Sequence, residues 1–272
     1  MNHPPKGTAV ITGASSGIGA IYADRLAKRG HDLILVARDR ERLFSLAQRL
    51  KRSTGHSVEV ILADLNDKYD LRRIETELRE NQNVSMLVNC AGLSADTPLL
   101  DSDANTMGQM IDLNINALMR LTYAVVPSMV KRERGTIINL ASIAGIAPEI
   151  LNGVFGGTKA FVLAFSLSLD KELAAKNIRI QVVLPGVTAA GSLANVRSQA
   201  DGLHKDMMSV EDLVDAAIVG LDQGELITIP SLPDILDWEA YEDARQNMMP
   251  KLLRNAPAPR YLVSGHRDHV EA

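Results

Sequence analysis

Ser142, Phe155 and Lys159 are the residues of this chain whose types and spacing most directly suggest chemistry. Phe155 and Lys159 lie four positions apart, so they share one face if the stretch is helical. A hydroxyl and an ammonium in one site can meet the negative charge that develops on a carbonyl oxygen when hydride adds to the carbon. The phenyl ring of Phe155 can shape such a site, but it can neither donate nor accept a proton.

A glycine-rich turn near the start of the chain predicts a site for a phosphate-containing ligand. Residues 8–19 read Thr-Ala-Val-Ile-Thr-Gly-Ala-Ser-Ser-Gly-Ile-Gly, in which a short apolar strand precedes Gly13, Gly17 and Gly19. The glycines then open a helix that continues to Arg29. Glycines at a strand-to-helix turn let the backbone approach a pyrophosphate, and the helix N-terminus offers free N–H groups. A simple helix start would account for one glycine but not for three.

Length and composition fit one large globular domain. The chain has 272 residues, of which 46% are hydrophobic and 23% charged, with a formal net charge of −4. This balance gives no basic footprint for nucleic acid. The single cysteine, Cys90, excludes an intrachain disulfide and a cysteine-rich metal site. The sequence shows no apolar run long enough for a bilayer and no signal-peptide core, so we expect a soluble cytoplasmic protein without metal, nucleic-acid or membrane partners.

Short apolar runs alternate with helical patterns along the chain. After the first strand, we expect strands over Leu33–Ala37, Ser57–Leu62, Val84–Asn89, Thr136–Leu140, Arg179–Leu184 and Leu226–Ile229. Near-continuous apolar runs are typical of parallel strands that are covered on both faces. The alternation predicts a Rossmann-like α/β fold, in which a doubly wound, parallel, seven-stranded sheet carries helices on both faces. We expect one domain, with a core over about 8–230, an insertion at 187–222 and an extension at 231–272.

The helical segments carry apolar stripes. One stripe contains Leu43, Leu46, Ala47 and Leu50, and a second contains Met107, Met110, Ile111, Leu118 and Leu121. Asn114 lies on the second stripe, where a buried amide needs hydrogen-bond partners. A later helix should start near Ser209, because Ser209 and Asp212 resemble a capping box. Residues 250–272 have an irregular pattern.

Several short motifs follow one another in a recognisable order. They are the turn from Thr12 to Gly19, Asn89-Cys90-Ala91-Gly92 after the fourth strand, Asn114 in the next helix, Ser142, Lys159, and Pro185-Gly186 after the sixth strand. Over residues 8–230 the chain thereby resembles the short-chain dehydrogenase/reductase family. The resemblance implies a carbonyl or alcohol oxidoreductase with Asn114, Ser142 and Lys159 as catalytic residues. Phe155 stands where that family has its catalytic tyrosine, and Ala190 stands where it usually has a threonine that helps hold the nicotinamide carboxamide.

The resemblance also implies the roles of individual positions. In this family the tyrosine phenol supplies the proton, and the neighbouring lysine both lowers the phenol pKa and binds the nicotinamide ribose. The insertion at 187–222 would cover the substrate. The implied cofactor-binding residues are Gly13, Ser15, Ser16, Gly17, Ile18, Gly19, Arg38, Asp64, Leu65, Asn89, Ala91, Gly92, Lys159, Pro185, Gly186 and Thr188.

The end of the second strand favours NADP(H) over NAD(H). An acidic residue there would bind the ribose 2′-hydroxyl and repel a 2′-phosphate, but the chain has Ala37 followed by Arg38. A guanidinium can pair with phosphate and stack on adenine, and Arg40 and Arg42 add positive potential. Arg38 could instead be a solvated loop residue, and Ser16 stands where some NADP-binding members carry a basic residue. Asp64 resembles the residue that contacts the adenine amino group, or it simply starts a helix.

Three explanations of Phe155 are open. It could be an engineered substitution that keeps cofactor and substrate bound without turnover, which the retention of Asn114, Ser142 and Lys159 favours. The enzyme could reduce an iminium, which already carries its proton, and Ala190 is consistent with such a diverged pocket. The chain could also be a non-catalytic NADPH-binding or interaction protein.

Substrate and assembly are less well defined by the sequence. An apolar substrate pocket is indicated by Ile143, Ile150, Leu151, Leu193 and Val196. The family usually forms dimers or tetramers, so the resemblance implies a homodimer or homotetramer, with helix faces near Met107–Leu121 and Thr158–Leu169 at the interface. Phe161, Val162 and Phe165 could serve that interface or the core.

Overall fold

The computed structural model describes residues 6–150, 152–186, 188 and 207–261. The chain divides into two compact units, residues 1–231 and residues 232–272. The first unit contains the sheet and every described residue of the candidate site. The expectation of a single domain over residues 1–272 stays a prediction.

A parallel seven-stranded sheet forms the first unit. Its strands are β1 (Thr8–Thr12), β2 (Asp32–Ala37), β3 (Val58–Leu62), β4 (Val84–Asn89), β5 (Gly135–Leu140), β6 (Ile178–Val183) and β7 (Ile227–Thr228). They lie in the order β3-β2-β1-β4-β5-β6-β7. The strand order reverses between β1 and β4, which is where open α/β sheets bind their ligands. The predicted fold is confirmed, and each predicted strand end lies within one residue of the observed one.

Helices connect the strands. In the first unit they are α1 (Gly17–Lys28), α2 (Arg40–Thr54), α3 (Lys68–Glu80), α4 (Ala104–Ile111), α5 (Leu118–Lys131), α6 (Gly153–Leu173) and α7 (Val210–Gln223). A π-helical turn, Asp112–Ala117, joins α4 to α5. The predicted start of α7 is confirmed, since Ser209 Oγ accepts a hydrogen bond from the Asp212 N–H at 3.0 Å and donates to the Asp212 carboxylate at 2.7 Å.

Two hydrophobic cores lie on opposite faces of the sheet. Ile11 of β1 and Leu35 of β2 belong to the core that α1, α2 and α7 cover. Val10 and Ile34, one position earlier, belong to the core that α3, α5 and α6 cover. Successive side chains of a strand point to opposite faces, so a strand covered on both sides must be apolar at every position. This explains the near-continuous apolar runs of the sequence.

The helix stripes agree with the sequence at all but one position. The α2 stripe is buried as predicted, and Met107, Met110, Leu118 and Leu121 of the second stripe are buried too. Ile111 is 41% exposed, so its assignment to the buried stripe was wrong. The helix widens into the π-helical turn directly after Ile111, and this changes which residues face the core.

The described residues of the second unit form α8 (Ile235–Leu252) and a short 3₁₀ turn at Pro259–Tyr261. Asp234 caps the helix by accepting a hydrogen bond from the Leu236 N–H at 2.9 Å. The prediction of irregular structure from residue 250 was wrong for 250–252, because Pro250 lies in the last turn of α8 rather than beyond it. Residues 262–272 lie outside the described part of the chain.

Candidate active site

A cavity of about 500 Å³ opens at the carboxyl edge of the sheet. Its walls come from the segments that directly follow β1 to β6, together with part of α6. Most of the predicted site residues line it: Gly13, Ser15, Ser16, Gly17, Ile18, Gly19, Arg38, Asp64, Leu65, Ala91, Gly92, Ser142, Phe155, Lys159, Pro185, Gly186 and Thr188. The structure therefore brings together residues that are far apart in the sequence.

The glycine turn at the start of α1 needs its glycines for space as well as conformation. Gly13 has a φ of +66°, and a Cβ atom there would lie 2.9 Å from the backbone of Ala91. A Cβ atom on Gly19 would lie 2.4 Å from the Gly13 carbonyl oxygen. Ser16 is the N-cap residue of α1, but its side chain makes no capping hydrogen bond. The Ser16 hydroxyl therefore does not occupy the free N–H groups of the first helical turn. The turn forms a cradle that a phosphate group fits.

Thr12 fixes this turn against the next strand of the sheet. Its Oγ1 donates a hydrogen bond to the Val88 carbonyl at 3.3 Å and accepts from the N–H groups of Cys90 and Ala91, each at 3.0 Å. The hydroxyl thereby joins the end of β1 to the loop that follows β4. The sequence showed Thr12 only as part of a motif, and its position directly before Gly13 was the available signal.

The end of β2 provides a cationic edge to the cavity. Ala37 is buried and small, and the side chain of Arg38 is 64% exposed, with a loose ion pair to Asp64 at 3.8 Å. The carboxylate of Asp39 accepts a hydrogen bond from the Arg42 N–H at 3.0 Å and so caps α2. Of the two further arginines expected to add positive potential, Arg42 lines the cavity and Arg40 does not.

Asp64 and Asn89 differ in how they relate to the cavity. The Asp64 carboxylate lines it and accepts a hydrogen bond from the Asn66 N–H at 3.0 Å. Asn89 does not line it, because its amide donates to Asn139 at 2.9 Å and to Thr122 at 3.2 Å inside the protein. Asn89 thus joins β4, β5 and α5 from within.

The side chain of Asn114 uses both its amide oxygen and its amide nitrogen in hydrogen bonds within the protein. It is buried in the π-helical turn, where its Oδ1 accepts from the Leu93 N–H and its Nδ2 donates to the Leu93 carbonyl, both at 2.8 Å. Its Nδ2 also donates to Thr158 Oγ1 at 3.0 Å, and that hydroxyl donates to the Phe155 carbonyl at 2.8 Å. Asn114 therefore positions both the loop after β4 and the first turns of α6. Insertions of this π-helical kind recur at functional sites.

Ser142 lies at the end of β5, with its side chain in the cavity wall. Its Oγ accepts a hydrogen bond from the Ala144 N–H at 3.2 Å and makes a long one to the Pro185 carbonyl at 3.4 Å. The hydroxyl can exchange the long contact for a bond to a substrate oxygen. Its orientation is fixed by the short 3₁₀ turn Ile143–Gly145 that it caps.

Lys159 reaches the cavity from α6. It is 9% exposed, and its Nζ donates a hydrogen bond to the Leu140 carbonyl at 2.9 Å. Burial lowers the pKa of its ammonium to about 8, because the charged form loses its water. The same burial raises the pKa of the nearby Cys90 thiol to about 12, so that thiol stays neutral. Lys159 can therefore exchange protons near neutral pH.

Phe155 occupies the position between Ser142 and Lys159 in the sequence and lines the same cavity. Its ring is 7% exposed and packs with Met107, Met110 and Ala144. The ring centroid lies 5.7 Å from Lys159 Nζ, within the range of a cation–π contact. The ring thus contacts Lys159, but a phenyl group can neither donate nor accept a proton.

Asn152 holds the start of α6 and was missed by the sequence analysis. Its Oδ1 accepts from the Val154 N–H at 2.9 Å, and its Nδ2 donates to the Thr97 carbonyl at 2.6 Å and to Ser102 Oγ at 3.2 Å. An asparagine directly before a predicted helix was the available signal. Asn152 thereby fixes where Phe155 enters the cavity.

Parts of the predicted substrate side lie outside the described residues. These are Leu151, Ala190, Leu193 and Val196, together with the side chain of Ile150. Within the described residues, no helix is long and apolar enough to cross a membrane. In that same part of the chain, no group of three or more His, Cys, Asp or Glu side chains could hold a metal ion.

Comparison with known proteins gives matches over most of the chain. The profile of the short chain dehydrogenase family matches residues 7–201. An uncharacterized oxidoreductase of Staphylococcus saprophyticus is 32% identical over 222 residues, which cover 81% of this chain and 93% of that protein.

Solved structures agree in fold over nearly the whole chain. A short-chain dehydrogenase from Sphingobium yanoikuyae in complex with NADPH is 43% identical, with a TM-score of 0.89, and the match covers 94% of this chain and 100% of that one. The bulky-bulky ketone specific alcohol dehydrogenase from Comamonas testosteroni is 41% identical, with a TM-score of 0.87, covering 97% of this chain and 100% of that one. The chain therefore belongs to the short-chain dehydrogenase/reductase family, as its motifs indicated.

Proposed function

We propose that the protein is an NADP(H)-dependent oxidoreductase for a carbonyl or alcohol group of a small molecule, with turnover limited by Phe155. One observation carries the proposal. Ser142 and Lys159 line the same cavity as the glycine turn and Arg38. A nucleotide held at the turn and at Arg38 would thus extend toward the two polar groups that serve a reacting oxygen.

The residues of the cavity fit the cofactor. The turn needs glycine at 13 and 19, because a Cβ atom at either position would collide with the backbone of Ala91 or Gly13 and would change the shape of the phosphate cradle. Ala37 leaves space beside the ribose, and the exposed guanidinium of Arg38 suits a 2′-phosphate. The bound cofactor supplies hydride or accepts it. The related short-chain dehydrogenase from Sphingobium yanoikuyae, solved with NADPH, supports the same choice here.

The polar residues divide the remaining work. Ser142 Oγ donates a hydrogen bond to the substrate oxygen as negative charge develops there. Lys159 binds the nicotinamide ribose and holds a positive charge at the wall of the cavity. Asn114 positions the loop after β4 and the first turns of α6, which carry Phe155 and Lys159. Phe155 keeps the shape of the pocket but leaves the new alkoxide without its proton donor, so ketone reduction is slow.

We propose ketones with large apolar substituents as the substrate class. At the reaction end, the apolar side chains of Phe155 and Leu93 line the cavity, backed by the buried cluster of Met107, Met110 and Ala144. The related alcohol dehydrogenase from Comamonas testosteroni is described as specific for bulky-bulky ketones, which supports this class.

The test is the Phe155→Tyr variant, measured with NADPH on a panel of ketones that ranges from small to bulky. A phenol restored beside Lys159 should raise ketone reduction by about 10²–10⁴-fold, the usual contribution of a general acid. The reverse reaction should gain as well, measured with the matching alcohols and NADP⁺. Val154→Thr, next to it in the sequence, serves as a control that adds a hydroxyl without restoring the acid.

Other outcomes would replace the proposal. Equal turnover of the parent and the variant on cyclic imines, with no ketone reduction by either, would favour reduction of a pre-protonated substrate. No turnover by either form on ketones, alcohols or imines would favour a non-catalytic NADPH-binding protein. A parent enzyme as fast as the variant on ketones would show that the acid is supplied elsewhere.

We also propose a cytoplasmic homodimer or homotetramer. Tyr123 of α5 is 68% exposed and stacks on Phe165 of α6 at 6.5 Å, and Phe165 stacks on Phe161 at 5.6 Å. This aromatic row on the outer face of α5 and α6 supports the expected interface, whereas Val162 is buried in its own subunit. Light scattering at micromolar concentration should show two-fold multiples of the 29.5 kDa chain, and a monomer alone would contradict the assembly.

A further inference from the structure

A second cavity lies at the opposite edge of the sheet and shares no residue with the active site. It has a volume of about 330 Å³. Its walls come from residues that precede or begin the strands, including Lys6 before β1, His31 before β2 and Arg134 before β5. The ends of α1 and α7 complete it. We call it the amino-edge cavity.

The amino-edge cavity collects positive charge in a chain whose net charge is −4. Four cationic side chains line it, Lys6, Arg29, Arg134 and Arg179, against one carboxylate, Asp222. Arg29 forms an ion pair with Asp222. The other three cations have no carboxylate partner among the described residues, and this leaves an excess of positive charge that an anion can balance.

The two remaining guanidinium groups are held in place and still have donors to offer. Arg134 donates to the Lys6 carbonyl at 3.2 Å, and Arg179 donates to the Leu221 carbonyl at 3.0 Å. A guanidinium carries five N–H donors, so each arginine can bind an oxyanion without giving up its backbone contact. Side chains that are already oriented lose less freedom on binding.

His31 lies beside these cations. It lines the cavity and is nine-tenths buried, and its Nδ1 is inaccessible to solvent. Burial lowers the pKa of His31, a hydrogen bond to the Gly7 backbone raises it, and repulsion from Lys6, Arg29 and Arg134 lowers it again, so the net shift is downward. An anion among these cations, with Arg179 and Asp222 also facing the cavity, would remove that repulsion.

Part of the charge has a simpler explanation. Arg29 directly follows α1, and Arg179 of β6 donates to the Leu221 carbonyl near the C-terminal end of α7, where cations offset the helix dipole. That explanation does not extend to Lys6, which precedes β1, or to Arg134, which bonds to the Lys6 carbonyl.

We propose that the amino-edge cavity binds a phosphate group through Lys6, Arg134 and Arg179, beside His31. A group with two negative charges matches three uncompensated cations better than a single carboxylate does, and the arginine fork suits phosphate oxygens. The group can belong to inorganic phosphate or to a small phosphorylated metabolite, since the volume exceeds what one phosphate needs.

The test uses inorganic phosphate and follows both the melting temperature and the His31 imidazole by ¹⁵N NMR, with chloride at equal ionic strength as the reference. Phosphate should raise the melting temperature in a saturable way and shift the His31 signal. Lys6→Gln with Arg134→Gln should weaken binding at least about tenfold, as expected for losing two charge-assisted contacts. Arg38→Gln is the matched control, because phosphate can also bind at the cofactor site, and this variant should leave the His31 response intact.

Three results would overturn the site: no saturable response, an equal response in chloride, or a response lost in Arg38→Gln but retained in the double variant. If the double variant does not fold, Lys6→Gln alone decides the question, because its exposed side chain has no contact that the fold needs. It should weaken phosphate binding several-fold, and unchanged affinity would contradict the proposal. Glycerol phosphate in place of inorganic phosphate then tells the two sources apart by their relative affinities.

Discussion

The two ends of the active-site cavity differ in how they are built. The nucleotide end is made of backbone: glycines at 13 and 19 leave room, the start of α1 offers N–H groups, and Arg38 adds charge. The reaction end depends on single side-chain atoms, namely Ser142 Oγ and Lys159 Nζ. A change of one oxygen atom at Phe155 can therefore remove chemistry at one end without altering the other.

The proposed function implies that cofactor binding and turnover can be changed separately. Phe155 is tightly packed with Met107 and Met110, and the helix that carries it is anchored by Asn152 and Thr158. The pocket thus keeps its shape without the phenol. We expect variants at the reaction end to change rates, and variants at the nucleotide end to change affinity.

The largest expected effect is the dependence of the restored acid on Lys159. In the Phe155→Tyr background, Lys159→Met should remove most of the gain in ketone turnover, about 10²–10⁴-fold, because the phenol pKa rises without the ammonium. In the Phe155 background the same substitution has no acid to disable and should cost much less. The four-member cycle of kcat values measures this coupling, with Lys171→Met, exposed on the same helix, as the control. If the two substitutions changed kcat independently, the result would contradict the proposal that Lys159 acts through the restored phenol.

The next effect concerns stability and pH. The pKa of Lys159 falls from 10.5 to about 8 on folding, so the folded state disfavours its charge by about 3 kcal/mol below pH 8. Above pH 10.5 the amine is neutral in both states and the penalty disappears. Lys159→Met should therefore gain stability over the parent at pH 7, less about 1 kcal/mol for the lost bond to Leu140.

That gain should shrink steadily as the pH rises from 8 to 10.5. Urea unfolding of both forms without nucleotide, at several pH values, gives the difference directly. A difference that does not change with pH would show that burial leaves the ammonium unperturbed.

At the nucleotide end, Arg38→Gln should weaken NADPH binding by about 1–3 kcal/mol, the value of a charge-assisted hydrogen bond to the 2′-phosphate. NADH binding should stay the same, since NADH lacks that phosphate. Fluorescence titration of both nucleotides measures this, and Arg40→Gln is the control because Arg40 does not line the cavity. Equal losses of affinity for NADPH and NADH would indicate that Arg38 contacts a part that both nucleotides share.

The smallest effect concerns Asp39, the acidic residue directly after Arg38. Asp39 caps α2, so Asp39→Ala should cost about 1 kcal/mol of stability and should not weaken NADH binding. Asp67→Ala, which removes the equivalent cap of α3, should give a similar stability loss with no change for either nucleotide. Weaker NADH binding in Asp39→Ala alone would assign its carboxylate to the ribose.

Much of the fold and the site could be predicted because the signals are local. Parallel strands covered on both faces require unbroken apolar runs, and the turn after β1 requires glycine at positions that a Cβ atom would block. The order of the motifs then places Ser142 and Lys159 in one cavity. These features depend on neighbours in the sequence or on a backbone constraint.

The rest depends on contacts between distant segments. Thr12 acts on the loop after β4, and Asn152 acts on Thr97, so neither role is visible in the residues around them. Asn89 belongs to a motif that implied cofactor binding, but its side-chain amide donates to Asn139 inside the protein. Ile111 became exposed because of the π-helical turn, which no residue pattern announced.

The most direct test of the proposed function is a paired measurement on the parent protein and the Phe155→Tyr variant. In each form, the NADPH dissociation constant is titrated by fluorescence and kcat is measured on the best ketone of the panel. We predict an unchanged dissociation constant and a kcat higher by about 10²–10⁴-fold in the variant, because the phenol acts mainly in the transition state. A parent that does not bind NADPH, or a variant that gains affinity without gaining kcat, would contradict the claim that the cavity lacks only its acid.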